Sequence, residues 1–501
     1  MGRHSLFALI ALCATTVSQA ATYEFRRDPE SGKGLVTVSL KTGEKSTRFE
    51  MPAWAPGDYQ LFDFGGLLEG VQFTLKGKPV KSEFVSPNSW VIPEGADRVT
   101  ALVNQSRGNF SPMFLMQGDL TYVNGSGVFG WFVGFDDEQH RLIVVRGEGA
   151  EKYLGAKQSS IWESGEESGW QSEFKSYEEL IDSPFVISPK LRVQEFRVAK
   201  VPHVVAAFGK AEAVDMKVFA EVAQKSVEEG LKTFGDFPYD RYVFFGHFGG
   251  IGGGLEHRNS TRLGLWSTDP KDAAGLIFHE FAHAYNVKQI RPVGLGPFDH
   301  TRAVPVPTLW WLEGATDYLA SVWQVRAGLM SKADLMREMA GTHQSVLAMP
   351  SRFQVSLEES GRRVFESRGS TGFGGVNYYT KGKMAAFLLD LSIRTGSDGT
   401  KCLDDVFRAL YDEARKDGPY KDGRIRELIV EFGGETAGEL YDQCVTKPVE
   451  MPIGPVLGQA GIRMVGRTFA AEPQPTPLGK KVFEAYPSDL SPRSETAPVS
   501  E

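Results

Sequence analysis

The run "HEFAHAYN", residues 279 to 286, sets His279 and His283 four positions apart, with Glu280 beside the first of them. Residues four apart share one face of a helix, so both imidazoles can turn a ring nitrogen toward a single divalent cation. Glu280 can then reach a water at that ion without binding the ion itself. A catalytic zinc takes three protein ligands and keeps one position open for water, whose pKa it lowers to about 7. Thirty residues after His283, within "WWLEGATDY", Glu313 is the candidate third ligand. It is embedded among tryptophans and a leucine, where an unpaired carboxylate is costly. Asp317, one helical turn further on the same face, can accept a hydrogen bond from the distal nitrogen of a metal-bound histidine, fixing its tautomer and raising its basicity. A chance histidine pair of this form in such a chain has odds on the order of a percent. The alternative is a pair of ordinary helical histidines beside an exposed acidic face.

These residues need two helices to hold them. The first opens with Asp269 as N-cap and Pro270 at the first helical position, and its pattern runs through "KDAAGLIFHEFAHAYNVKQ". The second follows Pro307 as "TLWWLEGATDYLASVWQVRA" and stops at Gly328. Upstream, "AEAVDMKVFAEVAQKSVEEGLKTFG" has helical periodicity and ends on Gly235, before a strand-like "RYVFFGHF". From Ala21 to about Asp182 the texture differs. "GLVTVSL", "VQFTL", "SWVIP", "VTALV", "DLTYV" and "RLIVV" are short alternating pieces between turn residues, the pattern of an all-β, sandwich-like unit in which Trp54 serves as packing. Residues from about Ser331 to Val449 read as helical, and the Pro-rich end with "EPQPTP" and "SPRSETAPVSE" reads as a disordered tail. No internal repeat is evident.

A chain of 501 residues is long enough for two to four domains with their own cores. A net charge of -8 without any Lys/Arg run argues against a nucleic-acid partner. Arg3 and His4, the apolar run "LFALIALCATTV" and then "SQA" form the pattern of a signal peptide over residues 1–20. The run is short for a membrane span, and Leu12 before Cys13 is bulkier than lipoprotein processing usually accepts. The expectation is export to the periplasm or the medium, without stable membrane insertion. Only Cys402 and Cys444 follow the leader. An oxidising compartment can join such a pair, the alternative being two buried thiols.

Two helices presenting His279, His283 and Glu313 make the ligand set of a gluzincin metallopeptidase. "HEFAHAYNVKQIRP", "LWWLEG" and "GGGLEHRNST", with the earlier "MPAWAPGDY" and the later "YYTKGKMAAFLLDLSIR", resemble the glycyl aminopeptidase family of gluzincins, relatives of aminopeptidase N. The resemblance extends to about Val465, with the motifs in the family's order. It implies a multidomain α+β architecture: an N-terminal β-sandwich-like domain over 21–182, a thermolysin-like zinc catalytic domain over 183–330 and a helical domain over 331–465, before the tail at 466–501. Many members carry a PDZ domain after the catalytic part, and none is evident here.

The resemblance also implies roles. Glu256, in "GGGLEH", matches the glutamate that binds a substrate's free α-amino group, and a carboxylate beside the metal is suited to an ammonium. Gly252, Gly253 and Gly254 would let the backbone lie close along a bound peptide. The loop ends in His257, where aminopeptidase N has asparagine. Tyr379 corresponds to the tyrosine that stabilises the oxyanion, with Tyr378 as the adjacent rival. His247, His257 and His300 could also line the cleft and receive no role. Glu280 would accept the proton of the attacking water and pass it to the departing amine. The resulting expectation is an exported aminopeptidase with one zinc per chain, releasing small N-terminal residues such as Gly or Ala from peptides. The alternatives are an endopeptidase of the same fold and a non-catalytic peptide-binding homologue.

Overall fold

The computed structural model describes residues 19–28, 30–145, 152–157, 169–367 and 372–488. Residues 1–18 of the expected leader, and 489–501 of the expected tail, lie outside the described residues. Among the described residues no helix is long and apolar enough to cross a membrane.

The N-terminal part is β-rich. The alternating pieces become strands such as Lys33–Leu40, Leu68–Leu75, Ser89–Ala96, Arg98–Val103, Leu120–Val123 and His140–Val144. They are distributed over a seven-stranded, a five-stranded and a four-stranded sheet. Period-two alternation decides which face turns inward. In Ala21–Asp28, for instance, Tyr23 and Phe25 are buried and Arg26 is exposed. Phe25, Phe49, Phe114, Trp131 and Tyr177 from these segments share one core.

The next sheet positions the chemistry. Its five strands lie in the order Arg192–Val198, Val201–Gly209, Tyr242–Phe248, Ser260–Leu265, Gly253–His257. The inner three are parallel and both outer strands antiparallel, so Gly253–His257 is an edge whose outer side carries no other strand among the described residues. Every residue of the central strand Tyr242–Phe248 is buried, as expected of a strand covered on both faces. Val243 and Phe245 pack with Val204 and Phe208 against Leu120, Tyr122 and Val186 of the β-rich part. Phe244 and Phe248 face the helical core with Phe219 and Phe281. The helix contributing Phe219, Met216–Phe234, is capped by Asp215 and stops at Gly235, whose φ of 90° is the left-handed cap geometry.

Helices Lys332–Leu347, Tyr378–Gly396, Leu403–Asp417 and Arg424–Tyr441 build the C-terminal region. The expected disordered tail from 466 is corrected over its described residues, 466–488. Thr468–Ala471 pairs with Ile462–Val465, and Pro477–Ala485 is a helix. Pro477 occupies the first turn and Thr476 caps it, so this one of the prolines read as disorder is helix-start chemistry. Tertiary contacts hold the segment: Phe469 stacks on Phe387, and the Tyr318 hydroxyl, which donates to Asp390 at 2.7 Å, accepts from that of Tyr486 at 3.0 Å. Cys402 and Cys444 are both buried and free, the second of the two readings the sequence left open. Trp54 packs beyond the β-rich part. Its indole N–H donates to the Asp299 carbonyl at 2.8 Å and its ring meets Phe298 and Phe365.

Candidate active site

Asp269 caps the first turn as expected, but that turn is a tight one over Pro270–Ala273, and the α-helix proper is Ala274–Ala282. It ends at His283 rather than running on to Gln289, because the following residues fold back on it. His283 Nδ1 meets the Asn286 carbonyl at 2.8 Å, and Asn286 Nδ2 donates to the Trp311 carbonyl and to Thr316. Val287 adopts φ of 120°, a strained value for a β-branched residue. A carbonyl can only accept, so Nδ1 of His283 carries a proton, and in the neutral ring Nε2 keeps its lone pair.

Glu313 lies in a π-helical turn, Trp310–Ala315, that precedes the α-helix Thr316–Arg326. Such wide turns cluster at functional sites because they re-aim side chains. A close crossing sets this one against the helix Tyr378–Gly396. A Cβ on Gly314 would stand 2.6 Å from the Gly382 Cα and from the Tyr378 carbonyl oxygen. Only two glycines let the helix bearing Tyr379 come this near Glu313.

The first helix and the π turn meet at a triangle of donors. His279 Nε2 and His283 Nε2 are 3.0 Å apart, and Glu313 Oε2 lies 3.6 Å from the first and 3.3 Å from the second. A tetrahedral shell with donors about 2.0–2.1 Å from its centre has edges of about 3.3 Å, which these separations bracket. Two imidazoles and a carboxylate, all buried, are also the donor types zinc takes, so the residues fit the ion. Asp317 Oδ1 lies 3.6 Å from His279 Nδ1, a little beyond hydrogen-bond length, and Asp317 is itself paired with Lys383 at 3.2 Å. Burial alone would lower His279, yet Asp317 and Glu313 reverse this and push it up to about 10. Burial raises Glu313, and His283 and His279 bring it down to about 2. The cluster is built to draw positive charge.

Glu256, Glu280 and His283 form a second, adjoining group, their oxygen and nitrogen atoms within 4.8 Å of one another. Burial pushes Glu280 up to about 7, against the pull of His279 and His283 and with the support of Glu256 and Glu313. Burial likewise raises Glu256, whose Oε1 is buried without a hydrogen-bond partner. A buried carboxylate with an unused acceptor suits a cationic guest. Gly254 lies directly against Glu280, since a Cβ there would stand 2.2 Å from its Cδ and Oε1.

Tyr379, and not Tyr378, faces the histidines: its ring centroid is 6.0 Å from that of His279, and the two tyrosines stack at 5.0 Å. Burial, with the charges of Glu313, Glu256 and Glu280, holds its phenol protonated, the form that donates. Of the unassigned histidines, His257 Nδ1 pairs with Asp182 at 2.9 Å, His247 Nδ1 accepts from Arg262 at 3.1 Å, and His300 is buried with neither ring nitrogen hydrogen-bonded.

The β-rich part supplies residues that the sequence reading passed over. Asp58 is buried and accepts from the Asn109 backbone N–H at 2.6 Å and from Asn109 Nδ2 at 2.8 Å. Burial, opposed by these bonds and supported by Glu256, pushes its carboxyl up to about 6. The turn it fixes carries Phe110, whose ring lies 6.5 Å from Tyr379. Tyr59 is buried with its hydroxyl unpartnered, in the field of Glu313 and Glu256. Both Asp58 and Tyr59 lie in "PGDY", so the motif was visible while its destination was not.

A family model described as M61 glycyl aminopeptidase matches residues 272–385, and one described as the peptidase M61 N-terminal domain matches residues 23–189. Among solved structures the chain is similar to an aminopeptidase N family protein from Idiomarina loihiensis, with a TM-score of 0.80 and 21% identity over 88% of this chain and 78% of that one. It is also similar to an M1 zinc metallopeptidase from Deinococcus radiodurans, with a TM-score of 0.52 and 14% identity over 92% of this chain and 96% of that one. At these identities the likeness is one of fold. A comparison with curated proteins finds no match. With matches in both its β-rich part and the segment carrying His279, Glu280, His283 and Glu313, the chain belongs to the M61 glycyl aminopeptidase family of metallopeptidases.

Proposed function

We propose that the protein is an exported zinc aminopeptidase, with a thermolysin-like catalytic unit, that releases small N-terminal residues such as Gly and Ala from peptides. The observation that carries this reading is the joining of two groups at His283: a three-donor metal triangle and a buried carboxylate pair beside it. His279, His283 and Glu313 would hold one zinc per chain. When bound there, the ion supplies Lewis-acid polarisation and a more acidic water.

The protein's own side chains do the rest. Glu256 receives the substrate's α-ammonium on its unpartnered Oε1, which limits cleavage to the first peptide bond. Glu280 takes the proton of the attacking water on a carboxylate oxygen and hands it to the departing amine, and a base poised near neutrality works in both directions. The Tyr379 hydroxyl donates to the oxygen on which negative charge develops. Asp317, 3.6 Å from His279 Nδ1, would orient that ring on closing to hydrogen-bond length. Export rests on the leader pattern of residues 1–20, and the preference for Gly or Ala rests on the family.

The test combines metal analysis of the purified protein with a panel of aminoacyl amides and their N-blocked counterparts. One zinc per chain and turnover confined to free amines, fastest for Gly or Ala, are expected. Glu256→Ala should cost at least about a hundredfold in kcat/KM on free-amine substrates. Equal rates on blocked and free peptides in the unaltered enzyme would replace this reading with an endopeptidase.

A further inference from the structure

Beyond Gly254 the edge strand leads to two aromatic side chains, Trp266 and Phe110, that the reaction itself does not use. Trp266 follows the strand Ser260–Leu265 and is 80% exposed, the most open large apolar residue among those described. Its indole is not loose. A Cβ on Gly252 would stand 2.7 Å from Trp266 Nε1 and 2.9 Å from Cε2 and Cζ2, so one indole face rests on the Gly252 backbone. The next residue, Gly253, faces Phe110, with a Cβ there 3.3 Å from Phe110 Cδ1. Phe110 is anchored too: Arg262 Nη1 donates to its carbonyl at 3.1 Å and to that of Ile251 at 2.8 Å, and Asp58 fixes the turn before it.

The direction of a bound peptide follows from the same strand. The α-ammonium belongs at Glu256 and the scissile bond at Gly254, beside Glu280. A peptide lying antiparallel along the free side of Gly253–His257 then runs on toward Gly253 and Gly252. Gly252 is at most about 7 Å beyond Gly254, two residues of extended chain. Single exposed aromatics are common on protein surfaces and usually mean nothing. This one is pressed onto the glycine run that must border the substrate, with a second anchored aromatic one position away.

We propose that Trp266 and Phe110, flanking Gly252 and Gly253, form a subsite for apolar side chains at the second and third residues of the substrate, so that the enzyme's substrates are peptides of three or more residues with apolar side chains after the first. This rests on the aminopeptidase reading above. The test compares kcat/KM for cleavage of the first bond of Ala-Leu-Phe-amide and Ala-Gly-Gly-amide. The unaltered enzyme should favour the apolar peptide by about tenfold or more, and Trp266→Ala should cut that ratio by about five- to tenfold. Phe110→Ala should lower it as well, while Trp266→Phe should retain most of it. Cleavage of both peptides with a ratio indifferent to Trp266 overturns the subsite alone. An unaltered enzyme that leaves the first bond of both peptides intact overturns the aminopeptidase reading and the subsite with it.

Discussion

Gly254→Ala isolates how the base is held. The built Cβ would stand 2.2 Å from Glu280 Cδ and Oε1, about 1.2 Å inside the ordinary contact distance of 3.4 Å. Gly254 is not among the residues of positive φ, so alanine fits the backbone and the conflict is steric, directed at one carboxylate. The carboxylate must therefore move by about an ångström. Displacements of that size at a reacting group cost about a hundredfold, and complete loss of a general base costs about a hundred- to ten-thousandfold. A fall in kcat of about a hundred- to a thousandfold is expected, or roughly 3–4 kcal/mol of barrier. Zinc content should be unchanged, since His279, His283 and Glu313 are untouched. The assay is steady-state turnover of an alanine amide by Gly254→Ala, Glu280→Ala and the double variant, with metal quantified in each. If Gly254 acts through Glu280, the double variant is scarcely slower than Glu280→Ala. Independent, multiplying losses, or a Gly254→Ala enzyme with near-normal kcat, would refute the reasoning.

Other consequences are open to measurement. Gly314→Ala places a methyl 2.6 Å from the Gly382 backbone, so it should destabilise the protein by about 1–3 kcal/mol in urea titrations and lower kcat by shifting Tyr379; an unaltered midpoint would contradict the crossing. Burial raises the Asp182 carboxyl, but Lys288 at 3.1 Å and His257 at 2.9 Å outweigh it and hold the carboxyl well below the usual range. Its stabilisation is thus complete above the unfolded pKa of about 4 and is lost as pH falls toward the lower folded value. Asp182→Asn, which leaves Lys288 uncompensated, should cost about 3–5 kcal/mol at pH 7, and the gap to the unaltered protein should narrow between pH 4.5 and 3. A gap that is constant over that range would show that Asp182 does not carry the effect. Chelation should abolish hydrolysis, and zinc should restore it with an apparent affinity that rises with pH, because His279 is pushed up to about 10 and must give up its proton to bind; affinity independent of pH would count against this ligand set.

The sequence by itself determined what lies within one element. Two histidines four apart share a helix face in any packing, and alternation along Ala21–Asp28 turns Tyr23 and Phe25 inward wherever the sheet sits. Asp269, Asp215 and Gly235 announced their caps because capping is a contact between near neighbours in the chain. The donor types and the placing of Glu280 beside His279 were legible for the same reason, whereas Glu313 could be named only as a candidate until the fold brought it to the histidines. Tertiary structure decided everything that joins distant segments. The π turn at Trp310–Ala315 has no local signature and accompanies the approach of Gly382 to Gly314. Helix Ala274–Ala282 stops early because Asn286 is bound to Trp311 and Thr316, a commitment invisible in the apolar pattern of its own segment. Phe110 meets Tyr379 across more than 250 positions, and Phe469 finds Phe387 although its own surroundings read as a tail. Local spacing is set by backbone geometry, whereas such pairings depend on which surfaces are buried together, a property of the assembled chain rather than of any window within it.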